Sequence, residues 1–105
     1  MQAISVEELA RWRAEQERFV LLDVREPSEI AAASLPGALQ IPMREIPARI
    51  AELNPGDRIA VLCHIGGRSE RVTQFLTMRG YTNVYNVEGG IDAYSLRVDP
   101  AIPRY

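Results

Sequence analysis

A chain of 105 residues has the length of one domain, and it can bury about two thirds of the surface it exposes when unfolded, so one core suffices without metal or cross-links. Apolar residues make up 47% and charged residues 25%, and the net charge of −2 is spread over scattered residues of both signs. That balance excludes a disordered or fibrous chain and offers no basic face for nucleic acid and no polybasic run for a lipid surface, leaving small molecules or proteins as partners.

The start, MQAISVEELARW, has no basic region followed by an apolar block, and the longest apolar run, Ile59 to Cys63, is too short to cross a bilayer. The expectation is a mature cytoplasmic protein. Ser5 followed three residues later by Glu8 forms a capping box, and Val6, Leu9, Ala10 and Arg13 continue at helical spacing, which predicts a helix over Val6 to Gln16. "FVLLDV", Phe19 to Val24, is a short apolar run ending in Asp23, the pattern of a strand buried on both faces of a parallel sheet. Pro27 then opens a short helix.

Pro36-Gly37 fits the centre of a type II turn, and "ALQIP" after it reads as another short strand. A helix is predicted from about Arg44 to Leu53, with Pro47 in its first turn. "NPGD" turns the chain into a second apolar strand, Arg58 to Cys63, whose carboxyl end carries the cysteine. Ser69 to Arg79 spaces Val72, Phe75, Leu76 and Met78 helically, with Gly80 as its C-terminal stop. Asn83 to Val87 is a third buried strand, "EGG" forces a tight turn, "IDAYSL" makes one or two helical turns, and the tail reads as extended. Strands alternating with helices over the whole length predict a single α/β domain, residues 1–105, with a mostly parallel central sheet and helices on both faces.

All twelve cationic residues are Arg, which excludes Schiff-base chemistry on lysine and a lysine-bearing phosphate loop. One Cys and one His exclude an internal disulfide and a zinc site built from the usual soft ligands, so no metal is expected. Any chemistry at Cys63 works with a lone sulfur.

A lone cysteine is most often a small buried hydrophobe. Here, however, it stands where open parallel sheets bind ligands, at a strand's carboxyl end before a loop and a helix start. Gly66 and Gly67 permit the sharp turn and close approach that the loop requires, so that successive N–H groups can form an anion-binding nest favouring the thiolate over the thiol. His64 either tunes the sulfur or contacts substrate, or else points away. Arg68 offers a planar charged fork for an oxyanion, or an ion pair to a nearby carboxylate. Asp23 and Arg25, at the end of a neighbouring strand, brace the loop or line its mouth, and Ser69 supports it.

With "LLDVREPSEIAAASLPGALQIP", "IAVLCHIGGRS" and "GYTNVYNVEGGIDAY" in this order, the sequence resembles the single-domain rhodanese-like sulfurtransferases over nearly its whole length. The resemblance implies a three-layer α/β fold, no cofactor, and a catalytic loop made of Cys63, His64, Ile65, Gly66, Gly67 and Arg68. Related dual-specificity phosphatases carry five residues between Cys and Arg, whereas four stand between Cys63 and Arg68, which disfavours phosphatase or arsenate reductase activity. The implied reaction moves sulfane sulfur from a donor such as thiosulfate, through a Cys63 persulfide, to a thiol or cyanide. Partners implied are small sulfur-containing anions and thiols, or a relay protein in thiolation or molybdopterin pathways, because the tail also resembles rhodanese-like domains that follow adenylyltransferase domains. Tyr94 stands where many relatives have Trp, and the loop lacks the extra basic residues of two-domain thiosulfate enzymes.

Overall fold

Five short strands line up in parallel in the computed structural model, which describes residues 2–105. Strands β1 (Gln2–Ile4), β2 (Val20–Asp23), β3 (Leu39–Gln40), β4 (Ile59–Leu62) and β5 (Val84–Val87) take the order β1-β5-β4-β2-β3. Helices α1 (Val6–Ala14), α2 (Pro27–Ala32), α3 (Ile46–Arg49), α4 (Gly67–Met78) and α5 (Gly90–Arg97) connect or follow them. The expected α/β architecture is therefore present. None of the helices is long and apolar enough to cross a membrane, among the described residues.

The central strand β4 is buried along its whole length, as expected for a parallel strand covered on both sides. Alternation along β4 sends Ala60 and Leu62 to one face, with Val6, Leu9, Trp12, Ile91 and Tyr94 of α1 and α5. Ile59, Val61 and Cys63 go to the other face, with Ile46, Val72 and Leu76 of α3 and α4. Two packed layers thus hold the sheet, and truncating a core leucine such as Leu62 to Ala costs roughly 2–5 kcal/mol. Asp23 is in register with Leu62, so β2 and β4 end at the same level and bring Asp23, Arg25 and Cys63 to the carboxyl end of the sheet.

Local chemistry sets the element ends. Ser5 caps α1 by accepting from the Glu8 N–H at 3.0 Å, but the Glu8 carboxylate bonds Arg11 and the Trp12 indole instead of completing the predicted box. α1 stops at Ala14, two residues short of the prediction. α4 ends as predicted, with Gly80 at φ 93° and the Gly80 and Tyr81 N–H groups returning to Thr77 and Leu76. Gly37 at φ 85° matches the third residue of the predicted type II turn.

Two expectations are corrected. The continuous helix over Arg44 to Leu53 is instead a 3-10 turn (Met43–Glu45), one turn of α-helix, and a second 3-10 turn (Ile50–Glu52). Pro47 supplies no N–H for a helix running through it, which confines regular structure to the residues around it. Strand β1 was not predicted; it has three residues, two of them exposed, and forms only through pairing with β5.

Candidate functional site

Cys63 follows the last residue of β4 and is 1% exposed. The chain then reverses through Gly66, whose φ of 114° and close neighbour make any side chain strained: a Cβ there would lie 3.3 Å from the Gly89 nitrogen. The turn aims the Gly66 N–H at the Cys63 Sγ, 3.1 Å away. Ser69, buried in the first turn of α4, sets its hydroxyl 3.2 Å from the same sulfur and 2.5 Å from the Asn86 Oδ1. The thiol donates to Ser69, which donates to Asn86; once sulfur is deprotonated, the Ser69 proton can turn towards it.

α4 starts without a side-chain cap. The N–H groups of Gly67, Arg68 and Ser69 have no acceptor within the helix, the kind of helix start that favours negative charge beside it. A second helix end clamps the loop from below, since the Ile91 and Asp92 N–H groups donate to the carbonyls of Cys63 and His64 at 2.9 and 3.0 Å. This contact requires Gly90. At φ 61°, a Cβ on that residue would fall 2.4 Å from the His64 carbonyl oxygen and 2.5 Å from that of Cys63. The tight turn predicted at "EGG" therefore also fastens the loop.

Charges around the loop are arranged in pairs. Arg68 grips both carboxylate oxygens of Glu29 at 2.6 and 2.8 Å. These hydrogen bonds outweigh partial burial and hold the Glu29 carboxyl down at about 2, while Glu29 raises Arg68 above the usual guanidinium range. The Tyr105 hydroxyl donates to Glu29 and accepts from Arg25, each at 3.0 Å, and its ring stacks on His64 with centroids 4.1 Å apart. Beneath them Arg25 and Asp23 form a fully buried pair at 2.7 Å, with the Arg25 backbone N–H also held by Asp23 at 3.1 Å.

Of the residues singled out in the sequence, Cys63, His64, Ile65, Gly67 and Arg68 line one cavity of about 310 Å³, joined by Arg71. Gly66 and Ser69 lie against the sulfur. Asp23 and Arg25 do not line the mouth; they brace the site through Glu29 and Tyr105. Arg68 takes the ion-pair role left open above. Gly67 corrects an expectation, because nothing lies within 4 Å of a Cβ placed there and its φ is not positive, so only Gly66 of the pair requires a missing side chain. Tyr94 belongs to the core and accepts from Arg13 at 2.9 Å.

Sequence reasoning missed Glu29, Arg71, Asn86, Gly90 and Tyr105. Only the double glycine carried a local signal. The other four are ordinary polar residues until the fold brings them to the loop.

The model of the rhodanese-like domain family matches residues 5–97. A chloroplastic rhodanese-like/PpiC domain-containing protein of Arabidopsis thaliana is 51% identical over 89 residues, which is 81% of this chain but 30% of that protein. A protein of Allochromatium vinosum named sulfurtransferase is 41% identical over 93 residues, covering 88% of this chain and 86% of its own length. Among solved structures, a Staphylococcus saprophyticus protein superposes with a TM-score of 0.85 at 35% identity, covering 99% of this chain and all of that one.

Proposed function

Because the chain belongs to the rhodanese-like domain family, we propose that it is a sulfurtransferase that carries sulfane sulfur on Cys63. The observation behind this reading is the placement of Cys63 in the cavity wall, with its Sγ 3.1 Å from the Gly66 N–H and 3.2 Å from the Ser69 hydroxyl. Both groups stabilise negative charge on sulfur, and the uncapped start of α4 adds donors where charge develops. The relative from Allochromatium vinosum, named sulfurtransferase, supports the same chemistry.

In the proposed reaction the Cys63 thiolate attacks the outer sulfur of thiosulfate. The S–S bond of the donor breaks, its electron pair leaves with sulfite, and Cys63 retains a persulfide. An acceptor thiolate or cyanide then attacks the terminal sulfur, forming the acceptor's own persulfide or thiocyanate and restoring the Cys63 thiolate. No external oxidant or reductant is needed. His64, Ile65, Gly67 and Arg68 border the space the extra sulfur occupies, and the Glu29–Arg68 pair holds the loop in shape.

Initial rates of thiocyanate formation with thiosulfate and cyanide varied together test this reading. Parallel double-reciprocal lines are expected of a covalent intermediate, and intersecting lines contradict it.

A second reading has one observation in its favour. Ile65, at the cavity mouth, is 66% exposed, an apolar side chain offered where another protein would deliver sulfur. In that case Cys63 takes its sulfur from a partner protein in a relay. A persulfide that forms with a cysteine desulfurase and not with thiosulfate selects this reading over the first.

A further inference from the structure

Two cations border the Cys63 cavity, Arg68 and Arg71, and they are in different situations. Arg68 is committed: both of its terminal nitrogens are spent on Glu29, so the pair presents little net charge. The Asp23–Arg25 pair beneath is neutralised in the same way. Arg71 is exposed and has no hydrogen bond or ion pair among the described residues.

That is uncommon in this chain. Among the described residues, eight of the twelve arginines hold a carboxylate. Of the rest, Arg13 donates to Tyr94 and Pro36, Arg79 lies over the Phe75 ring, and Arg18 stands beside the amino ends of the strands, away from the cysteine. Arg71 is therefore the cation free to meet a ligand in the cavity.

A small anionic donor approaching a thiolate needs such a group. Two negative charges repel as they close, and the departing oxyanion gains charge as the S–S bond breaks. A guanidinium presents a flat fork that matches a sulfonate or carboxylate with two parallel hydrogen bonds. Resting on the sulfurtransferase reading, we propose that Arg71 binds the oxyanion end of the small-molecule substrate and so makes the site selective for anionic sulfur compounds, while Arg68 serves as a positioning residue for the loop.

The test separates binding from turnover. Thiosulfate is titrated calorimetrically into Cys63→Ser and into the double variant Cys63→Ser/Arg71→Gln, and steady-state rates are measured on the wild type, Arg71→Gln and Arg71→Lys. The proposal predicts that Cys63→Ser binds thiosulfate and that the double variant binds about tenfold or more weakly, the loss expected for a charged bidentate contact. kcat/KM for thiosulfate falls by a similar factor in Arg71→Gln and is partly restored in Arg71→Lys, which keeps the charge without the fork. kcat/KM for 2-mercaptoethanol, an acceptor with no oxyanion group, stays within about twofold, since it meets no oxyanion contact. Equal affinity in the single and double variants overturns the proposal, as does the absence of thiosulfate binding by Cys63→Ser. Arg71-dependent binding to Cys63→Ser, together with a wild-type protein that transfers no sulfur, leaves the inference standing and removes the sulfurtransferase reading instead.

Discussion

A single methyl group added at Gly90 tests how the Cys63 loop is held. The backbone there has φ 61°, a left-handed conformation that costs an L-residue roughly 1–2 kcal/mol. The new Cβ would also fall 2.4–2.5 Å from three backbone atoms of Cys63 and His64, none of which can rotate away as a side chain can. Relieving that overlap means pushing the loop off the α5 N–H groups, and overpacking of this kind costs roughly 1–3 kcal/mol. Gly90→Ala is therefore expected to lose about 2–5 kcal/mol of stability, a drop of roughly 10 °C or more in Tm. Gly67→Ala is the control, because a Cβ there meets nothing within 4 Å; its stability should change by less than about 1 kcal/mol, in the stabilising direction if the main effect is on the unfolded chain. Urea titration and thermal melts of both variants give the comparison. Equal stability of Gly90→Ala and Gly67→Ala would refute the clamp.

The other predictions concern the charges and the sulfur. Glu29→Gln removes the carboxylate shared by Arg68 and Tyr105 and should cost roughly 1–3 kcal/mol at neutral pH. The Glu29 carboxyl falls from 4.5 to about 2 on folding, so its contribution is complete above pH 4.5 and is lost as pH drops towards 2; the Glu29→Gln stability profile should be flatter than the wild type's across that window, and parallel profiles would refute the pairing. Ser69→Ala leaves the Asn86 Oδ1 and Cys63 without their shared partner, so both stability, by roughly 1–3 kcal/mol, and the rate of Cys63 alkylation by iodoacetamide at neutral pH should fall. Alkylation at the wild-type rate would mean that the hydroxyl does not serve the sulfur.

What the sequence discloses, and what it conceals, follows the range of the interactions. The β4–loop–α4 unit was legible because an apolar run, a glycine pair and a helical period are adjacent in the chain, and each acts on its own neighbours. Gly80 and Pro36-Gly37 were legible for the same reason. β1 was not: its three residues carry no pattern of their own and become a strand only against β5. Glu29 meets Arg68 across 39 positions and Tyr105 meets Arg25 across 80, distances over which no spacing rule operates. The sequence offered both roles for Arg68, and only the fold, by placing Glu29 within 2.6 Å, decides between them. Gly67 was overread because two adjacent glycines look alike in sequence, while only Gly66 adopts a positive φ and approaches the Gly89 backbone.

The central claim is that sulfur rides on Cys63, and intact mass spectrometry addresses it most directly. Wild-type protein and Cys63→Ser are measured before and after incubation with thiosulfate, and again after cyanide. The account predicts a gain of one sulfur atom on the wild type that cyanide removes, with none on Cys63→Ser, whose near-isosteric hydroxyl should leave the fold unchanged. An equal gain on both proteins, or no gain on the wild type with either thiosulfate or a loaded cysteine desulfurase, would contradict it.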